Sequence, residues 1–225
     1  MNEPEVVAAQ LERSLRGPAE VVVRCPLGLP VVVAVPPLLD DGTPFPTRYW
    51  LTCPLANIRV GRVESAGGVK AMERWVESDP DIEARFRAAG VRYASERDRL
   101  VPDGALHRPT GGVAGSRRGV KCLHAHYADY AAGHENPVGE VVAPWVEPLN
   151  CTVGCVVEDE AGAVVARYRY TAGFPLVLGS VLWPKLMGVD NRSNLMGLLT
   201  AHPEWTAHFW VESSSPRRID APRPV

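Results

Sequence analysis

The segment Gly119-Val120-Lys121-Cys122-Leu123-His124-Ala125-His126-Tyr127 places one thiol and two imidazoles within five residues. Two further cysteines stand upstream in matching contexts, Arg24-Cys25-Pro26 and Thr52-Cys53-Pro54. Thiolate and imidazole donors that converge on one point suit zinc or ferrous iron, and zinc takes them as a tetrahedron. Cys122 and His126 are four apart, which on a helix puts them on one face. The helical reading therefore assembles a metal set from Cys122 and His126 with Cys25 and Cys53 at strand ends. His124 then points to the opposite side, whereas an extended segment would put all three on one side.

The same residues allow nucleophilic chemistry. Cys122 stands at a helix start beside Lys121, and both the helix dipole and a cation favour thiolate. His124 or His126 would act as base, so Cys122 and His124 are the candidate catalytic pair. No family-specific cysteine-protease word is present. Against both readings stands burial, since cysteine is among the most often buried residues, and Cys25 and Cys53 end apolar strands.

A glycine-rich run leads into this segment, Thr110-Gly111-Gly112-Val113-Ala114-Gly115-Ser116-Arg117-Arg118-Gly119-Val120-Lys121. Backbone amides at a helix start attract phosphate or carboxylate. Gly111, Gly112, Gly115, Arg117, Arg118 and Lys121 form the candidate anion site. The run lacks the Gly-Lys-Ser/Thr of a P-loop and is not a placed dinucleotide fingerprint; its alternative is a surface loop with solvated arginines. Arg92, Arg97, Arg99 and Arg108 would widen a basic patch, but Glu96, Asp98 and Asp103 are interleaved with them and weaken a nucleic-acid case. Asp129 is placed to orient a histidine. His134-Glu135-Asn136 reads as local hydrogen bonding after a helix. Cys151 and Cys155 share a strand face without metal-pair spacing. His202 and His208 stand near Trp205 and Trp210 and read as packed rings with polar tips.

These residues need elements to position them. Pro4 to Leu15 reads as a short amphipathic helix stopped by Gly17-Pro18. Ala19–Val23, Leu29–Val35 and Thr47–Thr52 read as strands, valine-rich and bounded by glycine and proline. Val69–Glu77 is helical. Asp79 caps a next helix with Pro80 at its first position, which runs to Gly90, with a further helix over Val91–Arg99. Pro102–Gly119 is loop, and Lys121–Ala132 is helix, ended by Gly133. Cys151–Val157 and Val164–Thr171 alternate around Glu158-Asp159-Glu160-Ala161-Gly162, a hairpin signal. Phe174–Leu186 and Asn194–Trp210 are apolar but broken by proline, and 212–225 is polar, proline-rich and expected to fray. No internal repeat is visible.

The chain has 225 residues, 46% hydrophobic and 22% charged, so a packed core needs no metal or disulfide. The net charge of −2 makes no global case for nucleic acid or an anionic membrane. No apolar stretch is long and unbroken enough to span a bilayer. The start carries Glu3 and Glu5 rather than a signal-peptide pattern. Five cysteines are an odd number without a disulfide framework. A soluble cytoplasmic protein with reduced thiols is the expectation.

Three words in one order carry a resemblance: Arg24-Cys25-Pro26-Leu27-Gly28-Leu29-Pro30, Pro44-Phe45-Pro46-Thr47-Arg48-Tyr49-Trp50-Leu51-Thr52-Cys53-Pro54, and Val120-Lys121-Cys122-Leu123-His124-Ala125, extended by Asn136-Pro137-Val138-Gly139. With them, residues from about 20 to 150 resemble the bacterial domain of unknown function 501 family. Cys53, Cys122 and His124 fall inside these words. The resemblance implies no activity, because the family has none assigned.

The expected fold is α+β. A small, mainly antiparallel sheet with a helical layer occupies residues 1–150, and a β-rich extension with a frayed tail occupies 151–225. Two functions remain open. One is an enzyme acting on an anionic small molecule, with Cys122 and His124 at its centre. The other is a non-catalytic binding or scaffold protein whose cysteines are structural. The oligomeric state is not legible.

Overall fold

The computed structural model describes residues 1–166 and two short paired strands, Tyr168–Arg169 and Arg217–Arg218. The apolar runs after residue 170, with His202, His208 and the polar tail, lie outside the described residues. Helix α1 covers Glu3–Leu11; Asn2 caps it by accepting from the Glu5 amide at 3.1 Å. It ends at Glu12, in a left-handed conformation (φ 52°), before the expected Gly17-Pro18 stop. Strands β1 (Glu20–Arg24), β2 (Pro30–Ala34) and β3 (Tyr49–Leu51) form an antiparallel sheet in that order.

The central strand β2 is valine-rich because both of its faces are covered. Val33, with Val35 just beyond the strand, packs with Val7 of α1, while Val32 and Ala34 join the main core. On that side lie helices α2 (Pro54–Ser65), α3 (Gly68–Glu77), α4 (Pro80–Asp98), α5 (Leu123–Ala131) and α6 (Pro137–Val142). The α+β class is therefore as the sequence implies.

Three departures from the sequence reading bear on function. Helix α2 was unforeseen, and it carries Glu64 of the candidate site. Helix α4 is continuous through Gly90, with no break at Val91. A Cβ at Gly112 would come within 3.1 Å of the Gly90 Cα, so the two glycines let loop backbone rest on helix backbone. Helix α5 begins at Leu123, not Lys121, so Cys122 is its cap and not its first turn.

Polar groups, several of them buried, hold the loops to this frame. Asp79 caps α4 through the Asp81 amide at 2.9 Å. The Tyr93 hydroxyl accepts from the Arg48 amide at 2.6 Å, joining α4 to the start of β3. Arg97, almost fully buried, donates to the Gly111 carbonyl at 2.8 Å and fixes the glycine-rich loop on α4. Strands β4 (Val156–Glu158) and β5 (Val164–Ala166) pair antiparallel, as the hairpin signal implies. Gln10 of α1 donates to the Pro30 carbonyl at 2.9 Å and to Cys155 Sγ at 3.4 Å, joining the base of the hairpin to the sheet.

Candidate functional site

The start of α5 gathers three donor groups. Cys122 has extended backbone (φ −153°, ψ 120°), which turns its side chain toward the second helical residue rather than the fourth. Its Sγ lies 3.9 Å from His124 Nδ1. The i, i+4 pairing of Cys122 with His126 does not arise, because only His126 is inside the helix. The third group is Glu64, from the last turn of α2. Its Oε1 lies 3.2 Å from His124 Nδ1 and accepts from the Leu123 amide at 2.6 Å. One ligand atom from each of Glu64, Cys122 and His124 lies within 4.8 Å of the others. All three residues are half-buried.

The opposite ring nitrogen, His124 Nε2, is 3.1 Å from the Asn57 carbonyl. Both nitrogens therefore face acceptors, and without a metal only the imidazolium satisfies both. Burial opposes that charge, but hydrogen bonds to Cys122 and Glu64 and the Glu64 charge outweigh it and raise the imidazole to about 10. Burial raises the Glu64 carboxyl, and the His124 hydrogen bond and charge reverse this, leaving it below its ordinary value.

His126 lies elsewhere. It is 1% exposed, and its Nδ1 is 3.0 Å from Asn136 Oδ1. The Gly139 amide also donates to that oxygen, at 3.0 Å, while Asn136 Nδ2 donates to Asp129 Oδ2 at 2.9 Å. These two bonds fix the amide orientation, so Asn136 Oδ1 is the acceptor and His126 Nδ1 carries the proton. Its Nε2 is then a lone pair, buried and without a hydrogen-bond partner among the described residues. Burial lowers this imidazole to about 4. Asp129 is held in turn by Arg92 Nη2 at 2.5 Å. The carboxylate does orient a histidine, through the amide of Asn136.

His126 lines a cavity of about 850 Å³ between α3, α4 and the 109–120 loop. Cys122, His124 and Glu64 are not on its walls. The Phe86 ring stacks on His126, with centroids 5.5 Å apart and planes at 25°.

The family model described as "Protein of unknown function (DUF501)" matches residues 21–144. The chain belongs to this family. No curated protein and no solved structure matches it. Glu64, Cys122, His124, His126 and Asn136 all fall within the family match, and so does every wall of the cavity.

The remaining sequence candidates within the family match take other places. Cys25 and Cys53 stay outside the group of three. Cys53 is 5% exposed, and burial raises its thiol to about 12, which suits packing. All five cysteines are free. Lys121 adopts a left-handed conformation (φ 45°) and donates to the Ala114 carbonyl at 2.9 Å, within the loop. The loop amides also turn inward: Gly112 donates to the Ser116 carbonyl, Gly115 to Gly112, and Ser116 to Val113. The open amide at the helix start meets an anion from the protein itself, Glu64. Arg117 Nη2 donates to Thr110 Oγ1 at 3.5 Å, and Arg117 and Arg118 have no carboxylate partner among the described residues.

Glu64 and Asn57 were missed by sequence reasoning because α2 was missed. Pro54 after the strand word, followed by Leu55, Ala56, Val60 and Val63, is the signal that marks this helix. Glu64 is the one acidic residue in that helix.

Proposed function

We propose that Glu64, Cys122 and His124 form a metal centre for one zinc or ferrous ion with an open coordination position. The observation that carries this is the convergence of Glu64 Oε1 and Cys122 Sγ on a single ring nitrogen, His124 Nδ1. A carboxylate and a thiol on one nitrogen do not make a relay, which would use both nitrogens. They do make three sides of a coordination shell. Zinc bonds of about 2.0–2.3 Å at tetrahedral angles put nitrogen and oxygen donors about 3.3 Å apart, and nitrogen and sulfur about 3.6 Å apart. The distances of 3.2 and 3.9 Å need only tenths of an ångström of adjustment. The Asn57 carbonyl supports the same reading. A metal-bound imidazole donates its other N–H to such a group, which fixes the tautomer and the ring plane. In the metal-free protein a proton on Nδ1 takes the place of the metal.

Three protein ligands of mixed type leave the fourth position for water or an anionic small molecule. A metal held by these residues would supply Lewis acidity and activate water near neutral pH, chemistry that suits hydrolysis of an ester or phosphoester bond in an anionic substrate.

Cobalt titration of the full chain under reducing conditions tests the centre. The expected result is one equivalent bound, with a thiolate-to-metal absorption band absent in Cys122→Ser, and affinity lowered at least tenfold in Glu64→Gln and His124→Asn. Unchanged binding in all three variants, or none in the wild type, would overturn the proposal.

One observation favours a second reading, in which Cys122 is itself a nucleophile: its sulfur lies beside the imidazolium of metal-free His124. Site-resolved alkylation separates the two. A nucleophilic Cys122 reacts quickly in metal-free protein and loses that rate in His124→Asn, whereas a purely ligating thiol shows no enhanced rate. The structural alternative fits Cys53 better than Cys122, since Cys53 is the deeply buried thiol.

A further inference from the structure

The cavity between α3, α4 and the 109–120 loop has among its lining residues His126, a buried histidine whose Nε2 has no hydrogen-bond partner among the described residues. Its volume of about 850 Å³ is that of a site for a small organic molecule. Val76, Phe86, Ala94, Val113 and Val120 make its walls largely apolar. His126 Nε2 is a lone pair with no donor. The Val120 backbone carbonyl adjoins the ring, and a carbonyl oxygen beside a lone pair brings a second acceptor rather than a partner. A buried acceptor left unpaired is destabilising, because its lost hydration is not replaced. Asp129, Asn136 and the Gly139 amide nevertheless hold the ring in the one tautomer that leaves Nε2 unprotonated.

The mouth supplies a second constraint. Four acidic residues line the cavity, and three have cationic partners: Glu83 with Arg87 at 2.7 Å, Asp98 with Arg97 at 2.8 Å, and Glu73 with Lys70 at 3.2 Å. Glu77 remains against Arg117 and Arg118, neither of which has a carboxylate partner among the described residues. The balance at the loop side is positive.

We infer that this cavity binds a small aromatic or similarly flat organic acid, whose hydroxyl or N–H donates to His126 Nε2 while its anionic group faces Arg117 and Arg118. The Phe86 ring beside His126 gives a flat body a surface to lie on. The site is separate from the group formed by Glu64, Cys122 and His124, and the inference holds whether or not a metal binds there.

The test uses three probes on the full chain, followed by nitrogen and amide resonances: 4-hydroxybenzoate, benzoate without the donor, and phenol without the anion. The expected result is that 4-hydroxybenzoate binds about tenfold more tightly than either control, a difference of about 1.4 kcal/mol. It should shift His126 Nε2 and the amides of residues 111–120. Arg117→Ala with Arg118→Ala should weaken both acids and leave phenol unchanged. His126→Phe should remove the advantage of 4-hydroxybenzoate over benzoate. Equal affinity for 4-hydroxybenzoate and benzoate in the wild type would overturn the inference without recourse to any variant. So would shifts that map away from the cavity, or no binding of any probe at millimolar concentration.

Discussion

Glu64 and His124 meet across two helices, with Glu64 Oε1 3.2 Å from His124 Nδ1 while the same oxygen caps α5 through the Leu123 amide at 2.6 Å. One carboxylate thus ends the open helix start and sets the charge of the imidazole. Helix capping and site chemistry are coupled by a single side chain, and substitutions of Glu64 have to be read on both.

Glu64→Gln keeps an oxygen for the Leu123 amide but removes the charge. The helix-start contribution lost is about 0.3–1 kcal/mol. The effect on His124 is larger in kind, because Glu64, which with Cys122 favours its proton, becomes neutral. Its pKa should fall from about 10 toward the ordinary histidine range, read by ring-proton resonances across a pH series. An unmoved titration would mean that Cys122 alone holds the charge.

The same pair makes stability depend on pH in a stated direction. His124 titrates at about 10 in the folded chain and near 6.5 unfolded, so its contribution is full below about 6.5 and is lost as pH rises through 10. The Glu64 carboxyl is lowered by folding, so its contribution is present above its ordinary range near 4.5 and is lost as pH falls through the folded value. The free-energy gap between metal-free wild type and His124→Asn should therefore be widest between about pH 4.5 and 6.5 and close toward pH 10. Urea unfolding at several pH values measures that gap.

His126 works in the opposite sense. Burial lowers it to about 4, so the folded chain resists a proton that the unfolded chain accepts near 6.5. Stability should decline as pH falls from 6.5 toward 4 by this group alone. Asn136→Ala removes the partner of His126 Nδ1 and of Asp129, and also the cap of α6. A lost cap costs about 1 kcal/mol and a stranded buried polar group about 1–3 kcal/mol. Denaturant midpoints should show a combined loss of about 2–4 kcal/mol, on the same principles.

How much of this was legible in the sequence follows from where the signals lie. Valine runs between prolines marked β1 and β2, and Asp79-Pro80 marked the start of α4, because those signals are local. Helix α2 was hidden: Gly61 in its interior weakens the helical signal, its charged and apolar residues are mixed, and its partner faces come from α3, α5 and the 143–145 turn. With it went Glu64. Cys122 and His124 were legible as chemistry but not as a pair, since the pairing depends on Cys122 staying outside the helix. The Asn136 amide that fixes His126 is a tertiary contact, and no spacing rule announces it.

Gly139 is the tightest contact between α5 and α6. A Cβ there would stand 2.3 Å from the His126 carbonyl oxygen and 2.4 Å from Tyr130 Cβ. Gly139→Ala must push the two helices apart, at about 1–3 kcal/mol or more. Because Gly139 also donates to Asn136 Oδ1, the shift should disturb the His126 tautomer. A thermal midpoint several degrees lower, with a moved His126 nitrogen resonance, is the expected pair of readings.

Metal should change stability by mass action if Glu64, Cys122 and His124 hold it. A ligand present at about 100 times its dissociation constant stabilises the folded chain by about 2.7 kcal/mol. Wild-type protein with one equivalent of zinc should therefore melt higher than chelator-treated protein, and the gap should vanish in Cys122→Ser. Thiol accessibility gives an independent reading on the same samples. Cys122 should be alkylated in chelated protein and protected by zinc, whereas Cys53, at 5% exposure, should react only on unfolding in both. Protection of Cys122 without zinc, or a zinc-dependent midpoint that survives Cys122→Ser, would place the metal elsewhere in the chain and return Cys122 to a packing role.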